Sequence, residues 1–220
     1  MNKLYGAALE FWQLLSTAQN KLGNGVALAN TDVFYLLANA AWNAEPASYG
    51  ELTEWYDIMG LPPAVIISGD TSTETQDALK AAGFTPERSF IFRKPQLAEG
   101  DAQVEQVSWT QLGYTGELLA KRYEVPEFAA ATGKSLTKAV RSASALSSYL
   151  AYRDGPVGTL TTFAASGYLL GTLLVDDSGA LESRLIQEAD SLGLEPLVLE
   201  ELPTGTFVKG AKGLERWSIR

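Results

Sequence analysis

The sequence contains neither cysteine nor histidine. Without cysteine there is no disulfide, no thiolate metal site and no thiol nucleophile. Without histidine the chain lacks the usual general base, the commonest metal ligand and every Ser-His pairing. Any catalysis falls to carboxylates, Tyr, Lys, Ser, Thr or backbone amides, and no metal centre is expected. Positive charge is also scarce: 17 Lys and Arg face 26 Asp and Glu, a formal charge of −9. That balance argues against a nucleic-acid or anionic-membrane partner. The longest uncharged run, Gly155 to Val175, has 21 residues, enough to cross a bilayer. Its four glycines, four threonines and turn at Ala165-Ser166-Gly167 instead predict a β-hairpin. The opening MNKLYGAALEFWQLL carries Glu10 within its apolar stretch and no small-residue cleavage site follows, so the expectation is a soluble cytoplasmic protein.

What is there suits a folded α/β chain. Apolar residues make up 46% of 220, enough for a sizeable core in one large or two small domains. Residues 2–22 read as a helix that Gly23-Asn24-Gly25 ends. Ser48 with Glu51 forms a capping pattern for a second helix, closed by Gly60. The buried strand AVIIS follows; then Thr71 with Glu74 caps a third helix, ending at Gly83, and ERSFIFRK reads as a strand. The polar stretch Lys94 to Gln103 marks a boundary between an N-terminal domain, 1–97, and a C-terminal domain, 98–220. Beyond it, Trp109 to Tyr123 and Pro126 to about Ala145 read as helices. Strands SYLAYR, VGTLTTF and YLLGTLLV come next, with turns at Asp154-Gly155 and Ser166-Gly167. A helix follows with Leu181, Leu185, Ala189 and Leu192 on its core face, ended by Gly193. EPLVLE and LERWSIR are the last strands. The halves echo one another: ERSFIFR against ERWSIR, and AVIISGDTSTETQDALKAAGF against LLVDDSGALESRLIQEADSLGL.

This order of elements resembles the GNAT-type N-acetyltransferase superfamily. The likeness is carried by Ala151, Asp154, Gly155, Val157 and Gly158 in the hairpin SSYLAYRDGPVGTLTTF, by YLLGTLLV, and by ALESRLIQEADSLGLEPLVLE. The first half resembles a degenerate copy, most recognisably at Leu79, Gly83 and Phe84. The resemblance implies two tandem GNAT-like units, each a mixed, mostly antiparallel sheet flanked by helices. It also implies an Arg/Gln-x-x-Gly-x-Gly/Ala loop whose amides hold the acetyl-CoA pyrophosphate at a helix N-terminus. Here Val175 instead passes through Asp176-Asp177-Ser178-Gly179 into the helix, with no Arg and one Gly. Many members carry a tyrosine as general acid after the next strand; Phe207 stands nearest that place and has no hydroxyl.

Two negative side chains in that turn oppose a diphosphate, and either can cap the helix in its stead. In the first half, SGDTST (Ser68 to Thr73) is a similar turn in which Asp70 opposes phosphate. Lys134, Lys138 and Arg141 share one helix face, read as solvated. Tyr149, Tyr152 and Tyr168 read as packing residues, and Trp12, Trp42, Trp55, Trp109 and Trp217 as core or interface anchors. Two functions stay open. One is an acetyltransferase-like protein with impaired or lost acetyl-CoA binding, acting as a binding or regulatory module for an unidentified small molecule or protein. The other is an active N-acyltransferase on a small amine. It would hold acyl-CoA through Leu173, Leu174, Val175 and Gly179, with Glu200 or an ordered water as base.

Overall fold

The computed structural model describes residues 2–98, 100–176, 179–203, 206, 210 and 212–219. Along the chain come α1 (Lys3–Leu15), β1 (Ala18–Leu22), β2 (Gly25–Ala29), β3 (Ala41–Trp42), α2 (Tyr49–Ile58), β4 (Ala64–Ser68), α3 (Thr73–Ala81) and β5 (Thr85–Arg93). Then follow β6 (Gln103–Gln106), α4 (Leu112–Arg122), α5 (Ala129–Ser142), β7 (Leu146–Tyr152), β8 (Pro156–Ala165), β9 (Tyr168–Asp176), α6 (Ala180–Leu192), β10 (Glu195–Glu201) and β11 (Gly213–Ser218).

The chain divides into two compact units, one of residues 1–31, 35–91 and 201–220, the other of residues 32–34 and 92–200. The final strand thus lies with the first unit rather than with the half that precedes it in sequence. The reason is pairing: β11 runs antiparallel between β4 and β5, and Trp217 packs with Leu52, Val65 and Phe84 in the first unit's core. The echo between ERSFIFR and ERWSIR therefore falls on two neighbouring strands of one sheet, not on matching strands of two copies.

In the first unit the strand order is β1-β2-β3-β4-β11-β5. Only β3 and β4 pair in parallel; the other neighbours are antiparallel. Val65 and Ile67 share a core with Leu52 and Tyr56 of α2 and Leu79 of α3. Side chains alternate across a strand, so Ile66 and Trp42 face the other way, where Tyr5 of α1 meets the Trp42 ring edge-on at 5.0 Å. The expected helix over 2–22 stops at Leu15. From Ala18 the pattern turns to strand alternation, and β1 folds back on β2 around Gly23-Asn24, with Leu22 opposite Gly25. Two expected caps also move. Ser48 makes no capping bond and lies in a 3-10 turn, Pro46–Ser48, that leads into α2. The cap of α3 is Ser72, not Thr71; its hydroxyl accepts the Thr75 N–H at 3.3 Å.

In the second unit the order is β10-β9-β8-β7-β6, antiparallel except for β9 beside β10. Leu160 of β8 packs against Leu181 and Leu185 of α6. The neighbouring Thr159 hydroxyl bonds Thr115 of α4 at 3.2 Å, so α4 and α6 cover opposite faces. Leu181, Leu185 and Ala189 are buried as expected, but Leu192, in the last turn of α6, is exposed. Trp109 is also exposed rather than a core anchor, and the Arg141 guanidinium stacks over its ring at 5.1 Å. Helices α2, α3 and α6 all end in the same pair of backbone bonds at Gly60, Gly83 and Gly193, each with positive φ.

Candidate functional site

Each unit contains one parallel strand pair joined by a helical crossover: β9-α6-β10 in the second unit and β3-α2-β4 in the first. In the first unit this crossover is a different segment from AVIISGDTSTETQDALKAAGF, the stretch that echoes LLVDDSGALESRLIQEADSLGL in sequence, because β11 separates β4 from β5. In both units the pairing stops early and leaves a gap.

In the second unit β9 and β10 pair from Tyr168 opposite Glu195 to Gly171 opposite Val198, and no further. Beyond that point Leu173 takes a left-handed φ of 51°. The register against β8 slips there: Thr172 lies opposite Thr161 and Val175 opposite Thr159. A leucine in this conformation is strained by about 1–2 kcal/mol and persists only where its surroundings dictate it. The strands then run on unpaired with each other to Asp176 and Glu201.

The head of α6 follows the end of β9, and the chain's own groups bond to it. Asp176 accepts the Leu181 N–H at 2.9 Å, which satisfies one of the free donors of the helix's first turn. Glu182, also in that turn, receives Arg93 at 2.8 and 2.6 Å and the Gln96 N–H at 2.6 Å. Arg93 also pairs with Glu200 at the end of β10. Ala98 exchanges hydrogen bonds with the Ser183 hydroxyl, its N–H donating at 3.3 Å and its C=O accepting at 2.9 Å. Segment 94–98 is thereby strapped across the start of α6. Gly179, with φ of 71°, has no room for a side chain: a Cβ there would come within 2.9 Å of the Ala98 methyl.

Among the described residues, three carboxylates and one guanidinium thus lie at the helix start. Partial burial pushes the Glu182 carboxyl up, but the Arg93 guanidinium and the Gln96 amide outweigh it and hold the group below its ordinary value. Hydrogen bonds to Glu182, and then to Glu200, push Arg93 further up, so it stays charged.

In the first unit the parallel register holds for two pairs only, Ala41 with Val65 and Trp42 with Ile66. Asn43 then turns off with φ of 54°. The Tyr5 hydroxyl fills the root of the split, donating to the Ile66 carbonyl at 2.8 Å and accepting the Asn43 N–H at 3.1 Å. Burial raises its pKa well above the ordinary value, so it remains neutral. Beyond Tyr5 the diverging ends enclose a cavity of about 480 Å³ whose lining includes Asn43, Ala44, Glu45, Ile67, Ser68 and Asp70.

The residues singled out in the sequence lie as follows. Leu173, Leu174 and Val175 form the β9 side of the second unit's gap and Glu200 the β10 side; Gly179 precedes α6. The Glu200 carboxylate is engaged by Arg93. Asp177, Ser178 and Phe207 lie outside the described residues. Tyr149 is buried; desolvation, then the adjacent Glu188 carboxylate, push its hydroxyl up to about 12. Arg93, Glu182 and Tyr5 were not foreseen. A hydroxyl on the otherwise apolar face of α1 is the one signal the sequence offered for Tyr5, since a buried phenol needs a partner.

No family model matches the sequence, and no curated protein matches it significantly. Solved structures do match. A GCN5-related N-acetyltransferase from Kribbella flavida aligns over 99% of this chain and 95% of its own, with a TM-score of 0.66 and 15% identity. A second, from Sphaerobacter thermophilus, covers 79% of this chain and 67% of its own, with a TM-score of 0.55 and 17% identity. A functionally unknown conserved protein from Staphylococcus epidermidis ATCC 12228 covers 92% of each chain at a TM-score of 0.54 and 8% identity. The architecture is a mixed α/β one. More particularly, the chain has the fold of the GCN5-related N-acetyltransferases, shared across both units. Among the described residues no helix is long and apolar enough to cross a membrane, and no group of three acidic side chains is placed to hold a metal ion.

Proposed function

We propose that the protein is a binding or regulatory module built on the acetyltransferase fold, with acetyl-CoA binding lost from its second unit. The observation that carries this is the Asp176 carboxylate bonded to the Leu181 N–H. A diphosphate at this place would need that donor and its neighbours free, and would meet the carboxylates of Asp176 and Glu182. The strap 94–98 and the tight fit at Gly179 oppose it as well. These contacts support the reading that the described residues at this helix start do not fit the coenzyme's diphosphate.

Calorimetry with acetyl-CoA and with free CoA tests the proposal. No saturable heat is expected up to about 1 mM ligand. Micromolar binding, with amide shifts at Leu181 and Glu182, would refute it. The competing function, an N-acyltransferase acting on a small amine, draws support from the left-handed Leu173 and the unpaired strand ends, a frame that exposes backbone groups of Leu173 to Val175. Micromolar coenzyme binding would favour it, and acyl transfer to an amine panel would establish it, with Glu200→Gln as the control.

A further inference from the structure

The open cavity lies in the first unit, and its lining is graded. Tyr5, Ala44, Ile66 and Ile67 are buried and make an apolar floor, whereas Glu45 and Asp70 are exposed at the mouth. No Lys or Arg lines it among the described residues. Its volume, about 480 Å³, falls in the range of small-molecule pockets. Its position, at the carboxyl ends of two diverging parallel strands, is where open α/β sheets place their ligands. The backbone groups released by the divergence already have a partner in Tyr5, so the cavity wall is neutral and complete there. One polar atom is not satisfied. The Ser68 hydroxyl oxygen is sealed from solvent and makes no hydrogen bond, a costly arrangement for a buried polar group.

We propose that this cavity binds a small organic cation, a short aliphatic amine with a hydrogen-bonding group at its far end. The stem lies on Ala44, Ile66 and Ile67, the Ser68 hydroxyl rotates from its sealed position to meet the far group, and the ammonium stays at the mouth between Glu45 and Asp70. Two carboxylates and no base exclude an anion of the same length. The site goes beyond the function proposed above and belongs to the other unit, so it stands whether or not the second unit takes coenzyme.

The test uses the full chain and three probes of one length: 4-aminobutan-1-ol, butylamine and 4-hydroxybutanoate. Saturable binding of 4-aminobutan-1-ol is expected within about 10 mM, read by calorimetry and by methyl shifts at Ala44, Ile66 and Ile67. Glu45→Gln and Asp70→Asn each weaken it about fivefold, and together they abolish it over that range. Both positions are exposed, and unchanged thermal unfolding verifies that the variants fold. Ser68→Ala leaves butylamine binding unchanged and removes the preference for 4-aminobutan-1-ol. No binding of either amine, binding that survives the double substitution, or equal binding of 4-hydroxybutanoate would overturn the proposal. Acetyl-CoA binding with shifts confined to α6 would refute the reading of the second unit alone.

Discussion

The two units solve one problem in two ways. Each ends a parallel strand pair early and must satisfy what the split exposes. The first unit does it with a neutral group: one phenol hydroxyl from α1 bridges Ile66 and Asn43 and leaves a cavity beyond. The second does it with charge: Asp176 on the helix head, Glu182 and Glu200 on Arg93, and a strap over the top. A neutral plug at the root leaves the mouth open to a ligand. In the second unit the Asp176 carboxylate takes up one free donor of the helix head. The difference separates a gap with a cavity beyond its plug from one whose helix head is bonded by its own chain.

Removing the neutral plug should have the largest effect. Tyr5→Ala deletes a fully packed aromatic together with the hydroxyl that bridges Ile66 and Asn43, for a loss of about 3–5 kcal/mol in denaturant unfolding. Tyr5→Phe isolates the hydroxyl, and about 1–3 kcal/mol is expected. An effect near zero for Tyr5→Phe would mean that the bridge contributes nothing and that the two gaps differ less than their geometry suggests.

Arg93→Ala tests the charged closure. Glu182 is 14% exposed and loses its cation, whereas Glu200, at 46%, can turn to water. The loss should be about 1–2 kcal/mol, below that for a fully buried pair because Arg93 itself is 28% exposed. Amide exchange at Gln96 and Ala98 should speed up while amides of the first unit stay unchanged.

Asp176→Ala removes a single helix cap, at about 1 kcal/mol. Asp176→Asn keeps an acceptor and should recover most of that.

The smallest effect is a pH dependence that arises from Glu182 in the second unit. Glu182 has a folded pKa below its ordinary 4.5. Its contribution is therefore complete above that value and is lost as pH falls through the lower, folded one. Stability should rise with pH across this acid window by less than about 1 kcal/mol from this group, and Arg93→Ala should flatten the rise.

Much of the fold was legible because its signals are local. Asp154-Gly155 and Ser166-Gly167 did join β7, β8 and β9, and Gly60, Gly83 and Gly193 did end their helices, through bonds that span five residues or fewer. The misread helix at 2–22 had a local cause too: Ala18 to Leu22 lacks a helix breaker, and only its partner β2 makes it a strand. In the candidate site, the acidic turn before α6 stands out in the sequence against the loop that the resemblance implies. Arg93, 89 residues from Glu182, carries no local mark of its role.

The sequence by itself determined what this protein cannot use, having no thiol and no imidazole, and it determined most strands, turns and helix ends. It also placed Asp176, Asp177 and a single glycine, Gly179, in the turn before α6. Only the tertiary structure decided that the last strand joins the first unit, that Tyr5 plugs one gap and Arg93 ties the other, and that a cavity remains beneath Glu45 and Asp70. The physical reason is range. Turns and helix ends are fixed by torsions and bonds between near neighbours, whereas Tyr5 to Ile66 and Arg93 to Glu182 are contacts 61 and 89 residues apart that exist only once the sheets have formed.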